Sequence, residues 1–200
     1  MTNQHGTCRS CQKTGLEVFL DLGVMPLSDR FVAQDQLQNK EPMYPLQVAF
    51  CPHCSLVQIM ETVDPKVLFC DNYPYYSSFS PALLKHSRDN VLDLIESRKV
   101  GADSFVVELA SNDGYLLKNY VEKGIPSLGI DPADGPAKAA VAAGVPTLCD
   151  FFTVALAEKL SGEGRKADII HANNVLAHVA DTNGFVRGIA ALLKDQGVAV

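Results

Sequence analysis

Four of the six cysteines fall in two close pairs, Cys8-x-x-Cys11 and Cys51-x-x-Cys54, with 39 residues between them. No other feature constrains the first third of the chain as much. That stretch has no long periodic pattern, only short extended runs at Leu16–Leu20, Leu46–Phe50 and Leu56–Ile59. Its apolar mass is too small for a sizeable core, and small modules of this kind depend on a metal. A two-residue gap lets both thiolates of a pair reach one ion, and a structural Zn²⁺ takes four tetrahedral ligands. Cys8, Cys11, Cys51 and Cys54 are therefore expected to hold one structural zinc, with an inserted loop between the pairs. The alternatives are a redox pair or reduced, buried thiols. A redox pair fits poorly, because neither pair stands at the strand-to-helix junction of a thioredoxin-like site. His53 inside the second pair and His5 outside the first are placed to replace a cysteine, but read as exposed loop residues. Cys70 and Cys149 stand alone and read as buried small hydrophobes.

Six cysteines without an export pattern in the leading MTNQHGTC imply a cytoplasmic chain and argue against a disulfide scaffold. The net charge of −6 offers no bulk attraction to nucleic acid or an anionic membrane. No apolar run approaches the roughly 18–20 residues of a membrane span. The expected partner is a small molecule.

The chain divides into three parts: a zinc module over 1–70, a connector and helix over 71–100, and an α/β domain over 101–200. Residues 71–80, DNYPYYSSFS, form the aromatic, hydroxyl-rich connector. Ser80 as N-cap and Pro81 at the first helical position start a helix running to about Ser97. Leu84, Val91, Leu92 and Ile95 are expected on its packed side. From Ser104, short apolar runs alternate with helical segments. The strands are SFVVELA, SLGID, PTLCD, DIIHAN and GVAV. The helices are Tyr115–Lys123, Pro136–Ala143, Val154–Leu160 and one near Phe185–Leu193. Alternation of this kind means a parallel sheet with crossover helices.

The first α/β unit reads VELASNDGY, Val107 to Tyr115. A strand ends at Glu108, turns through small residues and enters a helix. Small residues let a ligand approach the backbone over the carboxyl ends of the strands. About twenty residues on, Asp131 ends the second strand, where a carboxylate can accept both ribose hydroxyls of a nucleoside. NAD is the rival ligand, but the G-x-G-x-x-G fingerprint is absent: Ala110, Asn112 and Gly114 occupy the turn. An Asn-Asp turn puts negative charge where a pyrophosphate would sit, and it suits a ligand carrying an ammonium and a sulfonium. At the third strand end, Asp150 and Phe151 can meet an adenine amine and face, or Phe151 and Phe152 can be core. At the fourth, HANNVLAH places polar groups at the crevice, Asn173 foremost. His178 and Asn174 are candidates there or caps of the next helix.

Together these motifs resemble the sugar C-methyltransferases, which join a zinc-binding N-terminal domain to a class I S-adenosylmethionine (SAM)-dependent methyltransferase fold. The resemblance runs over essentially the whole chain: both CxxC pairs, PLSDRF at 26–31, YPYYSSFS at 73–80, ELASNDGYLL at 108–117, GIDPA at 129–133, DFF at 150–152 and NNVLAHV at 173–179. It implies a small zinc module followed by a partial Rossmann-like sheet, five of seven strands, and methylation of a carbon of a nucleotide-linked keto-deoxysugar. It also implies that Glu108, Ala110, Asn112 and Asp113 lie at the methionine end of SAM, that Asp131 takes the ribose, and that Asp150 with Phe151 lies near adenine. Tyr76, with Tyr73 and Tyr75 as alternatives, would bring a hydroxyl near the reacting sugar, and His86 reads as a surface residue. The family's sheet order is 3-2-1-4-5-7-6, and this chain stops within what should be strand five. The family's histidine base would then lie beyond Val200, leaving Tyr76 and His178 as the catalytic candidates present. A chain of this extent is expected to self-associate through its open fifth strand, to bind SAM weakly and to lack turnover. A zinc-dependent SAM- or partner-binding fragment without activity is the alternative function.

Overall fold

The computed structural model describes residues 6–70 and 73–200; His5, Asp71 and Asn72 lie outside the described residues. The N-terminal sheet is three-stranded and antiparallel, in the order β1 (Glu17–Pro26), β2 (Met43–Phe50), β3 (Val57–Ile59). The two cysteine pairs adopt the same turn. Cys8 N–H donates to Lys13 O and Gln12 N–H returns to Cys8 O; Cys51 N–H donates to Leu56 O and Ser55 N–H returns to Cys51 O. Gln12 and Ser55, equivalent in the two turns, both have positive φ, 61° and 64°. Between the turns lies a small core of Cys8, Leu16, Ala49 and Cys51, with Val18, Leu56 and Met60 packed against it. The other side of β1 leaves Phe19, Leu22 and Val24 exposed.

A short helix α1 (Pro65–Phe69) leads to the connector, which makes a single 3-10 turn at Ser77–Phe79. Helix α2 (Pro81–Arg98) starts as its sequence predicts: the Ser80 hydroxyl accepts from Leu83 N–H and Pro81 opens the first turn. Leu84, Val91 and Ile95 pack inward, but Leu92 is exposed, because 18 helical residues rotate it off the packed stripe.

The α/β part runs β4 (Val106–Leu109), α3 (Lys118–Val121), β5 (Ser127–Ile130), α4 (Asp134–Ala142), β6 (Thr147–Leu148), α5 (Val154–Gly162), β7 (Ala167–His171), α6 (Thr182–Leu192) and β8 (Leu193–Ala199). The sheet is parallel in the order β6-β5-β4-β7-β8, which is the expected 3-2-1-4-5. Successive side chains of a strand face opposite ways, so Val106 and Ile169 join the core under α2 and α3, while Val107 and Ile170 join the core under α5 and α6. The sheet is thus covered on both faces, a Rossmann-like arrangement. The order reverses at β4, and a ligand crevice belongs over the carboxyl ends beside it.

Several boundaries depart from expectation. The helix after the first turn forms only at Lys118, since Ala110, Asn112 and Gly114 all take positive φ and the chain must unwind from them first. Strand β6 is two residues long and ends at Leu148. Cys149, just past its end, is exposed, not buried; Cys70, at the end of α1, is only half-buried. Helix α6 starts earlier, at Thr182, capped by Asp181, whose Oδ1 accepts from Gly184 N–H; His178 and Asn174 do not cap it. Among the described residues no helix is long and apolar enough to cross a membrane.

Candidate functional site

The four paired cysteines converge. Cys8 and Cys54 sulfurs lie 3.6 Å apart, as do Cys11 and Cys51, and all four lie within 4.8 Å of one another. Four sulfurs placed tetrahedrally about 2.3 Å from one Zn²⁺ would stand about 3.8 Å apart, so the donor set fits the ion. Burial pushes the Cys8 thiol up, but the backbone N–H groups of Cys11 and Ser10 and the neighbouring thiols outweigh it and bring it to about 7. Cys11, despite the Lys13 N–H, is pushed up to about 11 by burial and by the other three sulfurs. Thiols this close resist ionising together, and a divalent cation removes that conflict. Four thiolates close the coordination shell, so the ion is structural. His53 is exposed and outside the cluster. The first turn is tied to the α/β part by Asn183 Nδ2, which donates to Ser10 O at 2.8 Å.

The second site lies over β4. Ala110, Asn112 and Gly114 have φ of 56°, 50° and 77°, so every second residue of the turn is left-handed. At Gly114 a Cβ would also press on Val145 at 3.0 Å. Glu108 is 1% exposed, and neither carboxylate oxygen closes a hydrogen bond of normal geometry. The Tyr115 hydroxyl and Leu117 N–H are close enough only to moderate its charge. Burial first, then the nearby Asp131 charge, pushes Glu108 well above the usual carboxylate range. A buried carboxyl with incomplete hydrogen bonding, in an acidic turn, can take a ligand's ammonium.

Asp131 directly follows β5 and is also buried. Its Oδ2 accepts from Asn112 N–H at 2.7 Å and its Oδ1 from Ala133 N–H at 2.8 Å. Burial raises its pKa, those two N–H groups lower it, and Asp113 adds to the rise. Each oxygen keeps a lone pair for a further donor. Asp150 is exposed beyond β6 and bonds its own neighbour's N–H, while Phe151 is half-buried. The two phenylalanines part company: Phe152 packs edge-on to Phe185 at 5.3 Å against the core, and Phe151 is not part of that cluster.

The connector crosses this turn. Ser77 N–H donates to Asn112 Oδ1 at 2.8 Å, and Asn112 Nδ2 donates to Tyr75 O at 3.0 Å. The N–H and hydroxyl of Ser78 both donate to Asp113 Oδ2. Tyr76 stacks on Phe79, and its hydroxyl occupies the space a Cβ at Gly135 would need. Exposed His178 sits edge-on to Phe69, which in turn meets Tyr73. Beside the turn a cleft of ≈ 190 Å³ is lined by His86 and Asn90 of α2, by Tyr115, and by Asn173 and Asn174 after β7.

Sequence reasoning missed four participants. Tyr115 stands between Glu108 and Asn173. Ser77 and Ser78 belong to a hydroxyl-rich run that the resemblance places near the substrate, but nothing in the pattern singles out either one. His171, in register with Glu108 on the adjacent strand, is fully buried and shares a 2.9 Å hydrogen bond with Tyr120 through Nε2. Burial lowers its pKa to about 4. A histidine directly after Ile169 and Ile170 at the end of a strand was the one available signal for it.

Residues 8–69 match the family described as "Putative zinc binding domain", and residues 107–199 match "Methyltransferase domain". The two matches lie in tandem, the first over the cysteine module and the second over the α/β part. A C-methyltransferase, NovU of Streptomyces niveus, is 28% identical over 191 residues, 96% of this chain and 45% of the relative. A ubiquinone biosynthesis O-methyltransferase of Bartonella tribocorum is 29% identical over 125 residues, 60% of this chain and 51% of the relative. The chain thus spans about half the length of these curated relatives. A solved SAM-dependent methyltransferase from Clostridium acetobutylicum superposes with a TM-score of 0.47 at 17% identity, covering 58% of this chain and 48% of that one.

Proposed function

We propose that this zinc-binding and methyltransferase chain binds SAM over β4 and serves C-methylation of a nucleotide-linked keto-deoxysugar. One observation carries the reading: a buried Glu108 with neither oxygen in a hydrogen bond of normal geometry, in an acidic turn, with Asp131 just after the next strand of a doubly wound sheet. A dinucleotide's pyrophosphate would meet negative charge there. The similarity to a C-methyltransferase over 96% of the chain supports carbon as the acceptor.

SAM, when bound, supplies a methyl group on a sulfonium. Glu108 would take the ammonium of its methionine end, with Asn173 and Tyr115 alongside. Asp131 would use its free lone pairs on the ribose hydroxyls, and Phe151 with Asp150 would meet the adenine. Ala110 keeps the turn free of bulk where the ligand lies. A carbon beside a ketone becomes nucleophilic once a base takes its proton and the enolate oxygen is held. On this reading Tyr76 would bring its hydroxyl to that oxygen, and exposed His178, which meets Phe69, would be the imidazole candidate. The zinc, closed by four thiolates, takes no part in the transfer.

The test uses labelled SAM with keto-deoxysugar nucleotides, and NMR to locate the new methyl group. Any label transferred is expected on a methyl carbon bonded to a sugar carbon. Label on an oxygen would move the reading to O-methylation, and calorimetry showing tight NAD binding without S-adenosylhomocysteine (SAH) binding would overturn it.

A further inference from the structure

Asn112 stands where the turn's backbone, at φ 50°, would ordinarily select glycine. Asparagine is among the few other residues that tolerate this region, but tolerance does not explain its side chain. Both ends of the carboxamide are used: Oδ1 accepts from Ser77 N–H and Nδ2 donates to Tyr75 O. These two backbone groups flank Tyr76. The carboxamide therefore pairs with the connector on both sides of that residue, as a neighbouring strand would, and Tyr76 is held extended at φ −120° and ψ 119°. Asp113, the next residue, takes the N–H and hydroxyl of Ser78. Asn112, Asp113 and Ser77 are each less than one-tenth exposed, so water cannot readily replace a lost bond. At the far end of the Tyr76 ring the hydroxyl fits against Gly135 only because that residue has no Cβ.

We infer that Asn112 and Asp113 are positioning residues: their side chains fasten Tyr75–Ser78 to the cofactor turn and thereby aim the Tyr76 hydroxyl. The inference rests on the proposed methyltransferase function for what Tyr76 does, but not for the clamp itself. It reassigns two side chains that the family resemblance places at the methionine end of SAM. It also makes the cofactor turn and the sugar-facing segment one mechanical unit.

The chain has six tyrosines and no tryptophan, so its near-ultraviolet circular dichroism reports tyrosine packing without indole overlap. The signal lost in Tyr76→Phe defines the share due to Tyr76. Asn112→Gly removes the carboxamide while relaxing a left-handed backbone. It is expected to speed amide exchange at Ser77 by about tenfold, as for loss of one to two buried hydrogen bonds. It should also erase the Tyr76 share of the tyrosine signal and leave SAH affinity within about threefold of the parent. Asn112→Asp keeps an acceptor for Ser77 but no donor to Tyr75, and should retain protection at Ser77 with part of the signal. Asp113→Ala should expose the Ser78 amide in the same way. In the Tyr76→Phe background, Asn112→Gly should change the tyrosine signal no further. Unchanged exchange at Ser77 in Asn112→Gly overturns the inference. So does a tenfold or greater loss of SAH affinity with the Tyr76 signal intact, which would make Asn112 a cofactor ligand. If the parent itself binds no SAH, the proposed function fails, and exchange and dichroism still decide the clamp.

Discussion

Replacing Cys51 with serine removes a metal ligand and a core side chain at once. Cys51 is fully buried, its sulfur lies 3.6 Å from that of Cys11, and it is one of four buried residues in the module's core. Two of the other three are Leu16 and Ala49, whose burial is worth roughly 2–4 kcal/mol together. A structural zinc contributes about 10–16 kcal/mol of apparent binding energy, so the metal decides whether such a module folds. Serine leaves three thiolates and no fourth anionic donor near neutral pH. Cys51→Ser should therefore hold well under one zinc per chain, and the amides of β1 and β2 should lose protection. The α/β sheet has two cores of its own and should stay protected in β4, β5 and β7. Cys54→Ser separates the two effects, because Cys54 is an exposed ligand outside the core. It should lose the metal without leaving a cavity. Cys149→Ser, exposed and remote from the cluster, should keep full stoichiometry. The measurements are elemental analysis and hydrogen exchange with and without chelator. A Cys51→Ser protein that keeps one equivalent of zinc would refute the ligand assignment. Metal-free parent protein with undiminished protection in β1 and β2 would refute the energetic argument.

Three further outcomes follow from the crevice. Asp131→Ala orphans the buried N–H groups of Asn112 and Ala133, at about 1–3 kcal/mol each less the relief of a buried charge; the urea midpoint should drop, SAH affinity should fall by about 1–3 kcal/mol, and unchanged affinity in calorimetry would remove the ribose assignment. Glu108 has a folded pKa raised by burial and by Asp131, so its stabilising contribution is fully present below its unfolded pKa and is lost as pH rises through the folded one. Glu108→Gln should flatten that slope, make the ligand-free protein more stable at neutral pH, and weaken SAH binding; parallel stability–pH curves for the two proteins would contradict this. Gly129→Ala places a methyl group 2.9 Å from Ser111 Cβ and Thr147 Oγ1 and against the Ser111 hydroxyl, so it should cost about 1–3 kcal/mol by overpacking, with Ser111→Gly restoring part of the loss in urea titrations.

Much of the crevice's frame was legible because it is written in local pattern. Glu108 and Asp131 could be placed since each closes an apolar run, and in a doubly wound sheet the ends of adjacent strands meet. What stayed hidden depends on pairs far apart in the chain. Asn112 and Asp113 are 35 residues from Ser77 and Ser78, and no periodicity ties a turn to a connector. The same holds for Tyr120 and His171, 51 residues apart. DFF left open whether both phenylalanines are core; the packing of Phe152 on Phe185 puts that one against the core.

The sequence by itself determined the two cysteine pairs as a candidate zinc set, the helix start at Ser80–Pro81 and a parallel sheet with crossover helices, while the strand order was implied by the family resemblance. A two-residue cysteine gap, a hydroxyl N-cap before proline and an alternation of buried strands with helices each act over a few residues, and connection rules leave few topologies. Only the tertiary structure decided which polar groups of the crevice remain free. Asp131 gives lone pairs to two backbone N–H groups, Asn112 and Asp113 hold the connector, and Glu108 alone among these has no partner of normal geometry for either oxygen. Whether a donor reaches an acceptor depends on ångström-scale placement of segments brought together by the whole fold, and residue type carries no record of that distance.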